Sequence, residues 1–111
     1  MLTEQEGCDV LARVFAARGF HVERDVFFDE AGVSFTVDGW DREARVGFEY
    51  MTREAGDHED LTADEIGRLA ARMERGELYV FLVDETDVAD ARELEEAAAK
   101  FIDEVEKRRA R

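Results

Sequence analysis

The chain predicts a single α/β domain, a four-stranded mixed sheet packed by helices in the order α-β-β-β-α-β-α, and three observations carry this. Two Thr-x-x-Glu boxes, Thr3 with Glu6 and Thr62 with Glu65, each open a stretch whose apolar residues recur at helical spacing. Between them, three stretches alternate with period two, as half-buried strands do. After the second helical stretch, Leu78-Tyr79-Val80-Phe81-Leu82-Val83 is apolar without alternation, as a strand covered on both faces requires.

The first helix is expected over residues 4–18, where Val10, Leu11, Val14 and Phe15 share a face and Arg18-Gly19 supplies a terminal cation and a C-cap glycine. Strands follow at residues 20–28, 33–38 and 44–51, with turns at residues 29–32 and from Asp38-Gly39 onward. They form an antiparallel meander. The second helix carries Ile66, Leu69, Ala70 and Met73 and stops at Gly76. It connects the third strand to the fourth as a parallel crossover. The last helix carries a stripe of Leu94, Ala98, Phe101 and Val105, with a basic end over residues 107–111 placed to favour its dipole. That stripe could bury within the domain or against a second copy, giving a homodimer, and periodicity does not choose.

Composition narrows the chemistry. With 111 residues, 45% of them apolar, the chain suits one domain with its own core, residues 1–111, and no linker or repeat divides it. Twenty-nine acidic residues against fifteen basic ones give a net charge of −14, which opposes direct binding to nucleic acid or an anionic membrane. Such a surface can meet a cationic protein partner, mimic nucleic acid, or simply keep the chain soluble. The single Cys8 rules out an intramolecular disulfide and reads as a small core or boundary residue. No apolar run is long enough for a membrane span and no signal-peptide pattern opens the chain, so the expectation is a soluble cytoplasmic protein.

Strict alternation sorts the meander onto two faces. Val26, Phe28, Val33, Phe35, Val37, Val46, Phe48 and Tyr50 fall on one; Glu23, Asp25, Ser34, Thr36, Asp38, Arg45, Glu49 and Met51 fall on the other. The register that keeps these faces consistent pairs Asp38 with Arg45, Thr36 with Gly47 and Ser34 with Glu49. It makes Asp38 and Arg45 a cross-strand ion pair beside the turn.

The order of elements, with acids on adjacent strands and Gly47-Phe48-Glu49-Tyr50-Met51 on the third, resembles the core of the PD-(D/E)XK, or restriction-endonuclease-like, superfamily. That resemblance implies a divalent cation, Mg²⁺ or Mn²⁺, held by an Asp on the second strand and the Glu of E-x-K on the third, with the Lys activating water. By position the Glu is Glu49 and the lysine site is Met51, which has neither charge nor donor. The aspartate site falls at Ser34, and Asp38 is expected roughly 13 Å further along the sheet at ~3.3 Å per residue, too far to share a cation with Glu49. The only lysines, Lys100 and Lys107, lie on the last helix, and Arg45 or Arg53 could bring charge but not a base.

Other constellations are thinner. The acidic loop at residues 54–60, with His58, lacks calcium-loop spacing. His21 and Cys8 have no triad partners, and no phosphate-binding Gly-rich loop occurs. Trp40, between Asp38 and Asp41, could anchor an interface or fold back onto the sheet edge. The expected function is non-catalytic: an acidic protein-interaction domain that needs no cofactor and binds a cationic partner through Glu23, Asp25, Asp38, Trp40 and Glu49. The rival is a divalent-metal-dependent nuclease with a remodelled site using Glu49, Asp38 and a migrated base.

Overall fold

A computed structural model of the chain describes residues 2–52 and 61–110. Helix α1 (Glu4–Ala17) begins at Thr3, whose hydroxyl accepts the Glu6 amide while the Glu6 carboxylate accepts the Thr3 amide. Three strands follow, β1 (Glu23–Glu30), β2 (Val33–Asp41) and β3 (Val46–Met51). Helix α2 (Ala63–Glu74) opens on the second reciprocal box, Thr62 with Glu65. It leads into β4 (Tyr79–Asp84), a short 3-10 turn at Glu85–Asp87 and α3 (Ala91–Arg109). The sheet order is β1-β2-β3-β4, antiparallel between the first three strands and parallel between β3 and β4. Element order and mixed sheet are those the sequence predicts.

The hairpin joining β1 to β2 closes on Ala31-Gly32, both with positive φ, flanked by the pair Glu30 and Val33. Two central left-handed residues are what a tight two-residue hairpin turn demands. At its base the Glu30 carboxylate takes two hydrogen bonds from Arg45, at 2.7 and 3.0 Å, and lies 3.1 Å from the Arg72 guanidinium on α2. Arg45 lowers the Glu30 carboxyl most, burial opposes it and Arg72 adds to the lowering, leaving it at about 2. A depressed carboxyl contributes stability above its unfolded value, and that contribution is lost as pH falls toward the folded one. Because the Glu30 side chain is 37% exposed, the pair is worth only about 1 kcal/mol after solvent screening. Glu30→Gln should therefore lower stability by about that much near pH 7 and by almost nothing near pH 2, read from urea midpoints at the two ends.

Two cores lie on opposite faces of the sheet. On one, Leu11 and Phe15 of α1 and Leu94, Ala98, Ile102 and Val105 of α3 pack on Val46, Phe48, Tyr50 and Val83. On the other, Leu61 and Leu69 cover Val26, Phe28, Val33, Phe35, Val37, Trp40 and Val80. The single apolar face expected for the meander is thus divided, with β3 facing α1 and α3 while β1 and β2 face α2. The α3 stripe is spent inside the domain, against α1 and the sheet, with Ile102 taking the buried place expected for Phe101. Among the described residues, no helix is long and apolar enough to cross a membrane.

Candidate functional site

The second strand does not turn at Asp38-Gly39. It runs on to Asp41, whose carboxylate accepts the amides of Glu43 and Ala44 at 3.0 and 2.9 Å and of His21 at 2.8 Å. Burial would raise the Asp41 carboxyl, but these three amides outweigh it and hold the group below its usual range. The Arg45 amide closes the turn on the Asp41 carbonyl. Gly47 consequently stands opposite Trp40 rather than Thr36, a register four residues from the expected one.

That shift rebuilds the site. The pairing of β2 with β3 ends at Gly39 and Phe48, and one step beyond them Asp38 meets Glu49. The Glu49 carboxylate accepts the Asp38 amide at 2.9 Å, and the Asp38 carboxylate accepts the Tyr50 amide at 2.8 Å. The two acids thus carry cross-strand bonds where the backbone ladder ends. Both are interior, Asp38 7% and Glu49 4% exposed. The Glu49 carboxyl and the Cys8 thiol lie close enough to the Asp38 carboxyl to influence its ionisation. Burial raises the Asp38 carboxyl most; the Tyr50 amide and Cys8 work against the rise, and the nearby Asp25 charge adds to it. Burial likewise pushes the Cys8 thiol up, with the Asp38 charge adding to it, so Cys8 is a poor nucleophile. The expected ion pair between Asp38 and Arg45 does not form. Arg45 is bound to Glu30 and lies over the Trp40 ring.

Opposite Asp38 on β1 stands Asp25, with φ +54°, between the paired residues Arg24 with Gly39 and Val26 with Val37. A non-glycine residue held in this left-handed conformation marks a local distortion of β1. β2 changes phase at the same level: Val37 and Trp40 both face α2, which strict alternation forbids. A cleft of about 370 Å³ opens here between α1 and β1, lined by Glu4, Cys8, Asp9, Arg24, Asp25 and Asp38. Glu4 and Cys8 lie one helical turn apart on α1, a spacing that could have placed both on one wall. Which strand they would face was not legible. Arg24, in an ion pair with Asp9 at 3.4 Å, is the cation at the cleft, and sequence reasoning did not single it out.

The five residues expected to form a binding patch are therefore split. Glu23 and Asp25 are exposed on β1, Glu23 in an ion pair with Arg42. Asp38 and Glu49 are inside. Trp40 is 3% exposed, edge-on to Phe28 in the core under α2, which removes it as an interface anchor. The acidic loop at residues 54–60, His58 included, and Arg53 lie outside the described residues.

As a divalent cation site, the acid pair fits poorly as it stands. Each carboxylate already accepts a main-chain amide. The position that would carry a lysine is Met51, paired with Asp84 on β4, while Lys100 and Lys107 are exposed on α3. Among the described residues, no group of three or more His, Cys, Asp or Glu side chains is arranged to hold a metal ion. No protein-family model, curated protein or solved structure matches the chain.

Proposed function

We propose that this chain is a non-catalytic protein-interaction domain, on a scaffold resembling the PD-(D/E)XK nucleases, that binds a cationic partner protein. The observation that carries the reading is the fate of the two motif acids. Asp38 and Glu49 hold β2 to β3 through main-chain amides, so carboxylates that would serve chemistry serve architecture. The surface supports the other half of the reading. Arg18, Arg24, Arg42, Arg45, Arg72, Arg75 and Arg92 are each paired with an acid, so the excess of acids is what a partner meets.

The corrected register favours a second reading, a divalent-metal-dependent nuclease, because it brings a strand-two Asp against Glu49. Calorimetric titration of Mn²⁺ into the purified chain and into Glu49→Gln, at moderate salt to suppress diffuse binding, separates the two. Only weak, mutation-insensitive binding is expected. One stoichiometric site abolished by Glu49→Gln would overturn the non-catalytic reading and direct the search to phosphodiester substrates. On the binding side, a purified partner should be basic, and its affinity should fall steeply as salt rises; salt-independent binding would remove the cationic assignment.

A further inference from the structure

Strand β1 is one edge of the sheet, and among the described residues nothing pairs with its outer side. Its inward side chains, Val26 and Phe28, are buried under α2, and seven residue pairs hold it to β2. The opposite face carries Phe27, a large apolar residue 65% exposed to solvent. Asp25 and Asp29 flank it at two-residue spacing and are exposed as well. The other β1 acids are neutralised, Glu23 by Arg42 and Glu30 by Arg45 and Arg72. Among the described residues, neither Asp25 nor Asp29 has an ion-pair partner.

We propose that this edge accepts an extended, lysine- or arginine-bearing segment of a partner protein as a fifth strand. The proposal rests on the protein-interaction reading and gives it a place. An open edge offers a row of backbone donors and acceptors, the means by which extended peptides join sheets. Charge selects the occupant. Antiparallel pairing with a second copy centred on Phe27 would set Asp25 against the copy's Asp29 twice, between chains that each carry −14. Centred on Phe28, it would set Phe27 against Asp29. A strand with cations opposite Asp29 and near Asp25, and an apolar residue against Phe27, turns each of these repulsions into a favourable cross-strand pair. The left-handed backbone at Asp25 limits the straight pairing stretch to residues 26–30, so the incoming segment is short.

The test uses the full chain and two blocked peptides of equal charge, one alternating Lys and Val, the other with Pro in place of Val so that it cannot extend a ladder. Amide hydrogen exchange followed by NMR should show protection of the outward β1 amides by the Lys-Val peptide alone. Phe27→Lys and Asp29→Lys, both surface changes, should each weaken that binding about tenfold without altering the melting temperature. Equal binding of the two peptides, or protection away from β1, overturns the proposal. So does a concentration-dependent dimer that Phe27→Lys abolishes, because the edge then belongs to a second copy. A natural partner whose binding is indifferent to Phe27→Lys also removes this site while leaving the protein-interaction reading intact; that reading falls separately, on a stoichiometric Mn²⁺ site.

Discussion

Gly47→Ala should cost about 3 kcal/mol or more, enough to leave a domain of this size marginally folded. An alanine Cβ at Gly47 would run into the Gly39 carbonyl oxygen on the neighbouring strand and come within 2.7 Å of the Trp40 ring. Main chain cannot swing aside as the tip of a flexible side chain can, so β2 would have to move off β3. Only three residue pairs, from Gly39 with Phe48 to Asp41 with Val46, join those strands. Separating them would also break the reciprocal bonds of Asp38 and Glu49 one step further on. Gly67→Ala is the control. Gly67 lies within α2 with open space where a Cβ would go, so alanine there should stabilise by about 0.5–1 kcal/mol through helix propensity. Urea denaturation of the two variants reads both effects; a Gly47→Ala cost below ~1 kcal/mol would mean β2 and β3 are not in this register.

The second large effect concerns Asp38, where two substitutions should act in opposite directions. Asp38→Ala deletes the acceptor of the buried Tyr50 amide and should cost about 1–3 kcal/mol. Asp38→Asn keeps an oxygen for that amide and removes a carboxyl that burial makes expensive to ionise, so it should stabilise the chain by about 1 kcal/mol at pH 8. The sign with pH follows from the raised folded value. Between the unfolded carboxyl range, about 3.9, and that raised value the folded state holds more protons than the unfolded one, so this group's contribution falls as pH rises. The advantage of Asp38→Asn over the parent should thus vanish toward pH 4 and grow toward neutrality. Stability curves at several pH values measure it. An Asn variant that loses stability at pH 8, and a parent that gains stability with Mn²⁺ where the variant does not, would identify Asp38 as a cation ligand.

Local signals in this chain are legible because their causes are local. A Thr followed three residues later by a Glu needs only one helical turn to satisfy the amides it caps, and both boxes do so. The hairpin at Ala31-Gly32 likewise follows from neighbouring residues, and β4 runs parallel to β3 because the α2 crossover returns the chain in the same direction. The binding patch was less legible. Alternation puts Asp38 and Trp40 on one face of the strand, opposite Val37, but it cannot say that the strand resets between them. Trp40 lies in the core because of that reset.

The order of elements, the capped helices and the acidic balance are written in the chain's own residues, since each depends on spacing within a few residues or on composition alone. Tertiary structure decided the partner of Asp38. Two turns competed after β2, one at Asp38-Gly39 and one at Asp41, and both satisfy the period of two. Asp41 won because its carboxylate gathers three amides, one from His21 well before it in the chain. Gly39 and Gly47 let the strands close at that register, with Phe48 and Trp40 filling the space their missing side chains leave. These contacts join residues distant in sequence, and they turned an expected surface ion pair into a buried pair of acids between β2 and β3.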